Sequence, residues 1–374
     1  MTKRSSTSPA ALTKAALTRI LNGESASGVV AAALRGMEND PLGRAQLARR
    51  VLGTAILRIA LAYQAGSAAP AALLAAYVRF VENGEAWPRP WPADPIERLV
   101  CEGSCPRLVA EEIARSLGVV GALEFLRASN VPGPRTLRAN RLRTTRGELR
   151  QQLREEGIAT RPASLAPNAL HVEGPANLFG STAWRSVLFE VQDEASQLVI
   201  DRHTPAEAGQ TVVDLCAGRG GKTLALAARL QDRGSLFAYD VDRAALADLD
   251  VRLSRAGVSC VHRGLPPLGT ADVVLVDSPC SSLGPLRRSP DRRYTLTAEE
   301  LAALVPVQTG LLEQASRLVR ANGVVVYATC TVRREENEFI AHTASLRLEQ
   351  EHVYLPHLHG TDGFYVAVLR RPGT

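Results

Sequence analysis

Lysine is nearly absent from this 374-residue chain: of 44 basic residues only Lys3, Lys14 and Lys222 are lysines, and the rest are arginines. Beside an alanine-rich composition, that scarcity reads first as the coding bias of a GC-rich genome, and it makes a lysine at 222 conspicuous. Aromatic residues are few, at 5%. No apolar run approaches the roughly 20 residues needed to span a bilayer; those around 51–62 and 324–328 are broken by charge or too short, so no membrane association is expected. Residues 1–14 lack the apolar centre of an export signal. The expected location is the cytoplasm, with an organellar transit peptide as the minor alternative because this segment is Ser/Thr-rich and acid-poor. The six cysteines then read as thiols rather than a disulfide framework. Cys101 and Cys105 lack two further ligands and the histidines are scattered, so no metal is expected.

Hydrophobic residues make up 45% of the chain and charged residues 22%, which suits a globular protein and excludes a disordered chain, a coiled coil or a collagen-like fibre. The length suggests two domains, or two and a small third. The net charge of +6 is a weak pointer to a polyanionic partner. Residues 1–126 read as helical, with apolar residues at helical spacing over 11–22, 28–36, 44–65, 70–82 and 108–127. Trp87-Pro88-Arg89-Pro90-Trp91-Pro92 breaks this series, because proline forbids helix there. Residues 127–184 form a basic stretch with a helical pattern over 144–153. Its arginines, Arg138, Arg141 and Arg143 among them, fit either a solvated helix face or a surface that contacts phosphates.

From 185 onward the texture alternates. Strand-like runs at 211–215, 235–240, 259–262, 272–277, 323–329 and 365–369 are separated by helical patterns at 223–231, 243–256, 298–320 and 335–345. That alternation predicts an α/β domain around a mostly parallel sheet, with ligands beyond the C-terminal strand ends. Four loops fall there. Cys216-Ala217-Gly218-Arg219-Gly220-Gly221-Lys222 is a glycine-rich strand-to-helix turn, able to bring backbone N–H groups to a ligand or to be simply a tight turn. It fits neither a Walker loop nor a dinucleotide fingerprint. Asp240 ends the second strand, where an acid grips a ribose diol or caps the next helix. Asp277-Ser278-Pro279-Cys280 and Tyr327-Ala328-Thr329-Cys330 each put a thiol at a strand end. A buried structural cysteine is the common reading of either; two at neighbouring strand ends can face one cleft and divide two chemical tasks.

These loops resemble the RNA cytosine-5 methyltransferases of the Fmu/Sun/Nop type, whose bacterial members modify 16S ribosomal RNA and carry a NusB-like helical domain in front. The resemblance rests on Asp214-Leu215-Cys216 running into Gly220-Gly221-Lys222-Thr223, and on Asp277-Ser278-Pro279-Cys280-Ser281 continuing to Gly284 and Arg287-Arg288-Ser289-Pro290-Asp291. It rests also on Tyr327-Ala328-Thr329-Cys330-Thr331 followed by Glu335-Glu336-Asn337, on Val191-Gln192-Asp193-Glu194-Ala195 and on Asp362-Gly363-Phe364-Tyr365. The motifs stand in the family's order and cover 185–374. The resemblance implies a Rossmann-like class I methyltransferase domain over 185–374, an RNA-recognising α/β linker over 127–184 and an all-helical, NusB-like region over 1–126.

It further implies S-adenosylmethionine as cofactor, held at Cys216–Lys222, Asp240 and Asp277, and RNA as substrate, ribosomal RNA first, with a monomer expected. In the chemistry implied, a cysteine thiolate adds to C6 of a cytosine so that C5 can attack the methyl group. By position Cys330 is that nucleophile, Cys280 serves product release and Asp277 contacts the base. Arg287 and Arg288 would lie near RNA phosphates or close the active-site loop, with Arg138, Arg141 and Arg143 extending the basic surface. The chain departs from the family in having Gly218-Arg219 where Ala-Pro is usual, and no acid after the third strand, where His262-Arg263-Gly264 stands. These departures keep open a catalytically weakened RNA-binding paralogue, a transfer RNA methyltransferase and a small-molecule methyltransferase. Two retained thiols speak against the first, and the arginines against the last.

Overall fold

The computed structural model describes residues 9–373 apart from 36, 38 and 39; the first eight residues of the segment read for an export signal lie outside the described residues. The chain divides into two compact units, residues 1–133 with 285–297, and residues 134–284 with 298–374. The expected boundaries are 126/127 and 184/185; the division falls at 133/134, and the thirteen residues 285–297 belong with the helices rather than with the α/β unit that flanks them.

The first unit is all-helical among its described residues, with helices Pro9–Leu21, Ala26–Ala33, Pro41–Ile56, Arg58–Ala65, Pro70–Ala76, Pro95–Cys101 and Arg107–Ser129, the last interrupted at Gly118. Leu17, Val29, Leu47, Val51, Leu61 and Leu73 form its principal core. The proline-rich break is stitched to the bundle. Gln64 exchanges two hydrogen bonds with the Arg89 backbone, each 2.9 Å, and Tyr63 donates to the Pro90 carbonyl. Residues 285–297 are fixed by Arg293, only 1% exposed, which donates to the carbonyls of Ser104 and Ser129 and to Asn130 Oδ1. No single helix among the described residues is long and apolar enough to cross a membrane.

The second unit holds two sheets. The smaller is antiparallel in the order β2-β3-β1-β4, made of β1 (Thr136–Ala139), β2 (Thr160–Pro162), β3 (Ala169–Val172) and β4 (Phe189–Val191). Helix Arg146–Glu155, started by a Thr145–Glu148 capping box, packs Leu149 and Leu153 into its core. The larger sheet has the order β10-β11-β9-β8-β5-β6-β7. Its strands are β5 (Thr211–Asp214), β6 (Ser235–Ala238), β7 (Val261–Arg263), β8 (Ala271–Asp277), β9 (Val319–Thr329), β10 (Arg347–Tyr354) and β11 (Phe364–Arg370). Strands β5 to β9 are parallel, and β11 and β10 close the far edge antiparallel.

This is a Rossmann-like arrangement. Its central strands are continuous apolar runs because both faces are covered: Val273, Leu275, Val324 and Val326 face one core, and Val274, Val276, Val325 and Tyr327 the other. The chain runs outward from β5 through β6 to β7, then crosses back to β8 and β9. That reversal opens a crevice at the C-terminal ends of β5 and β8.

Candidate active site

Three loops of the second unit meet at those strand ends. After β5 the chain turns through Cys216–Gly220 into helix Gly221–Arg229. Gly220 has φ +85, and a Cβ there would strike Leu249, so this position needs glycine. Gly218 N donates 2.8 Å to Asp240 Oδ2, and Asp242 N donates 2.8 Å to Asp240 Oδ1. Asp240 thus fixes the glycine loop, while Asp242 caps the next helix by accepting from Ala244 N. Arg219 points outward; its side chain is 78% exposed and meets Asp248 at 3.3 Å.

The Asp214 carboxyl is buried. It accepts 2.7 Å from Thr223 Oγ1, and its Oδ1 finds no donor among the described residues. Burial raises its pKa to about 7, the Thr223 hydroxyl working against the shift and the Asp277 charge with it. Lys222, 8% exposed, reaches across the crevice to Asp277, Nζ to Oδ2 2.7 Å, and lies 5.0 Å from the Phe364 ring centroid. An acid beyond β6, a loop rich in N–H groups and an unsatisfied buried carboxylate oxygen suit a nucleoside carrying a cationic amino-acid tail. The residues present therefore fit S-adenosylmethionine. Beyond β7 no acid is available, and Arg263 turns back to Asp250 and the Leu246 carbonyl.

Beyond β8 and β9 stand the two thiols, with Cys280 Sγ and Cys330 Sγ 3.4 Å apart and Ser282 Oγ 3.6 Å from Cys330 Sγ. Hydrogen bonding from Cys280 lowers the Cys330 pKa below the ordinary thiol value, against its burial, and the Ser282 hydroxyl adds to the effect. The same bond and burial push Cys280 well above that value. Every other cysteine is shifted upward chiefly by burial: Cys101, Cys216, and Cys105 and Cys260, both to about 12. One thiol of six is biased toward thiolate.

The geometry of the pair is held from beneath by Glu336, which is fully buried. Its Oε2 accepts from Ser281 N at 2.8 Å and Gln308 Nε2 at 2.9 Å, its Oε1 from Arg333 Nη1 at 3.0 Å, and its carbonyl from Tyr327 OH at 2.6 Å. Gln308 also binds the Pro279 carbonyl, and Ser281 Oγ lies 2.6 Å from Thr331 Oγ1. Gly284 N donates to the Cys330 carbonyl, and a Cβ on Gly284 would overlap the Gly363 carbonyl. The two loops are thus one rigid assembly. Glu336 has a sequence signal in the Glu-Glu-Asn run; Gln308, on helix Ala298–Leu318, and Ser282, held at φ +57, have none.

The arginines divide. The basic stretch predicts a phosphate-facing Arg138, but the structure buries it at 5% exposure, with Nη1 donating to the Gly221 carbonyl at 2.7 Å and to Gln192 Oε1. Burial lowers its pKa to about 10. For Arg287 the resemblance implies a place near RNA phosphate or in closing the active-site loop. Arg287 is 9% exposed and packs against Gly133 in the helical unit. The correction at Arg138 has a plain cause: composition does not tell a solvated guanidinium from one recruited to satisfy carbonyls. Arg141, Arg143 and Arg288 are exposed, and Arg143 donates to the Ala256 carbonyl at 2.9 Å.

Residues 204–352 match the family described as 16S rRNA methyltransferase RsmB/F, and residues 106–178 match the ferredoxin-like domain of RsmF/B-like methyltransferases. The probable ribosomal RNA small subunit methyltransferase B of Bacillus subtilis is 31% identical over 311 residues, covering 75% of this chain and 69% of the relative. Ribosomal RNA small subunit methyltransferase B of Vibrio cholerae is 32% identical over 267 residues, covering 66% of this chain and 61% of the relative. In fold, the crystal structure of PH0851 superposes with a TM-score of 0.81 at 23% identity, covering 99% of this chain and 100% of the other. NSun6 from Pyrococcus horikoshii, solved with SFG, gives 0.63 at 20% identity, covering 71% of this chain and 97% of the other.

Proposed function

Because the chain belongs to the 16S rRNA methyltransferase RsmB/F family, we propose that it methylates C5 of a cytosine in small-subunit ribosomal RNA, with Cys330 as nucleophile. The observation that carries this reading is the pair of thiols 3.4 Å apart with opposite bias, set beside Asp277 at the crevice. Cytosine C5 is a weak nucleophile. Addition of the Cys330 thiolate to C6 breaks the ring's conjugation and makes C5 electron-rich. S-adenosylmethionine, when bound, supplies the electrophilic methyl group. Loss of the C5 proton and expulsion of the thiolate then restore the ring.

Cys280 stays protonated at neutral pH, because its pKa is raised, and so offers an S–H to the sulfur that leaves. That is a physical account of a role in product release. Asp277, aligned by Lys222, contacts the cytosine edge. Asp240 and the loop 216–222 hold the cofactor, and the helical unit is read as the NusB-like part. The target base has to be unpaired or flipped out to reach Sγ, and the exposed Arg141, Arg143 and Arg288 supply contacts to its phosphates.

The test is transfer of labelled methyl from S-adenosylmethionine to ribosomal RNA lacking the modification. Label in 5-methylcytosine with the wild type and none with Cys330→Ala is expected. Label elsewhere than cytosine, or full transfer by Cys330→Ala, contradicts the reading. RNA retained at low salt and released at high salt with no label at all would favour the non-catalytic alternative.

A further inference from the structure

We propose that Arg138 and Arg252 are positioning residues that brace the cofactor loop by holding the carbonyl oxygens on either side of Gly220. The inference rests on the methyltransferase reading above and adds two residues to its binding site. A loop that serves a ligand through its N–H groups must turn its carbonyls elsewhere and keep them there. In this loop the Ala217 carbonyl is taken by Gly220 N at 2.9 Å. The Arg219 carbonyl accepts from Arg252 Nη1 at 2.7 Å, and the Gly221 carbonyl from Arg138 Nη1 at 2.7 Å. Gly220, with its positive φ, is the hinge between the two held carbonyls.

The two arginines come from different elements, and one strand segment orients both. Arg252 lies on helix Arg243–Ala256, the helix whose Leu249 forbids a Cβ on Gly220. Its Nη2 donates 2.7 Å to Glu190 Oε2. Arg138 lies on β1 opposite Glu190 on β4, and its Nη1 also donates to Gln192, whose amide is tied to Ser196 Oγ at 3.0 Å. Glu190 and Gln192, alternate residues of one segment, therefore set the guanidinium groups that set the loop. Charge-assisted bonds of this kind are the stronger hydrogen bonds in proteins, and a fixed loop does not have to be ordered when the ligand arrives. The small sheet, whose segment the resemblance assigns to RNA recognition, thereby takes part in cofactor binding.

The experiment measures binding of S-adenosylhomocysteine by calorimetry, retention of ribosomal RNA on filters, and melting temperature, for the wild-type chain and four variants. Arg252→Met and Arg138→Met are expected to weaken S-adenosylhomocysteine about tenfold each and to leave RNA retention unchanged. Arg252→Lys, able to keep one of its two partners, is expected to lose less, a graded response that unfolding does not produce. Arg255→Met is the control: Arg255 lies on the same helix but stacks on Trp184 and donates to its carbonyl at 2.6 Å, so it should lower the melting temperature without touching affinity. Wild-type affinity in both Met variants overturns the brace. So does a parallel fall in S-adenosylhomocysteine affinity, RNA retention and melting temperature, which marks an ordinary structural role. Failure of the wild-type chain itself to bind S-adenosylhomocysteine overturns the cofactor reading together with it.

Discussion

Cys101 and Cys105 in the helical unit, and Cys280 and Cys330 at the strand ends of the α/β unit, are two pairs of thiols in one polypeptide, and only the second pair holds a thiol shifted downward. Cys105 is fully buried with its pKa pushed up to about 12, and half-buried Cys101 is also shifted upward. Cys330 is shifted downward although burial acts on it too. The difference lies in hydrogen bonding at the sulfur: Cys330 Sγ lies 3.4 Å from the Cys280 thiol, the first cause of its shift, and 3.6 Å from Ser282 Oγ. Burial alone silences a thiol, and burial with hydrogen bonds aimed at the sulfur prepares a thiolate. These neighbours stay in place because Glu336, Gln308 and Arg333 hold both loops from beneath.

The largest expected effect comes from removing the prepared sulfur: Cys330→Ala should reduce methyl transfer to background in the labelled assay. Glu336→Ala should come next. It removes a buried carboxylate shared by Arg333, Gln308 and Ser281, at a cost of about 3 kcal/mol, read as a fall in melting temperature together with slower alkylation of Cys330. Cys280→Ala removes the donor. Its expected signatures are alkylation of Cys330 that needs a higher pH, and protein–RNA adduct accumulating on denaturing gels; unchanged alkylation with normal turnover would break the comparison.

In the wild type, iodoacetamide should label Cys330 ahead of Cys101 near neutral pH. The advantage should shrink as the pH rises toward the ordinary thiol value of 9.0, where Cys101 also begins to ionise. The smallest effect belongs to Cys105→Ala: full transfer activity, with stability lower by about 1 kcal/mol. Because the folded pKa of Cys105 is raised, its contribution is complete below the unfolded value of 9.0 and lost as the pH climbs toward about 12. Cys105→Ala should blunt that alkaline loss in denaturant titrations.

The large sheet was legible where strands are buried on both faces, since runs such as 272–277 and 323–329 are apolar and end in an acid or a thiol. Strand β10 was not, because as a mostly exposed edge strand, Arg347-Leu348-Glu349-Gln350-Glu351-His352-Val353-Tyr354, it lacks both alternation and an apolar run. The individual strands of the small sheet were not legible, within a segment expected only as an α/β linker, because they are three or four residues long. Cys280, Cys330, Asp277 and Asp240 stood out because each lies at or just past the end of a strand, where sequence order and spatial role coincide. Arg252, Gln308 and Ser282 act across long stretches of chain, and nothing local announces them. Membership of 285–297 in the helical unit depends on Arg293 finding carbonyls some 160 to 190 residues away, a relation with no signature in spacing.

The central claim is that the chemistry belongs to Cys330 and not to its neighbour, and trapping tests it most directly. RNA carrying 5-fluorocytosine at the target position blocks loss of the C5 substituent, so the covalent adduct persists and the modified peptide can be mapped by mass spectrometry. An adduct on the Cys330 peptide, formed only with S-adenosylmethionine present and absent from Cys330→Ala, is the predicted result. An adduct on Cys280, or methyl transfer to cytosine with no adduct at either sulfur, would contradict the account.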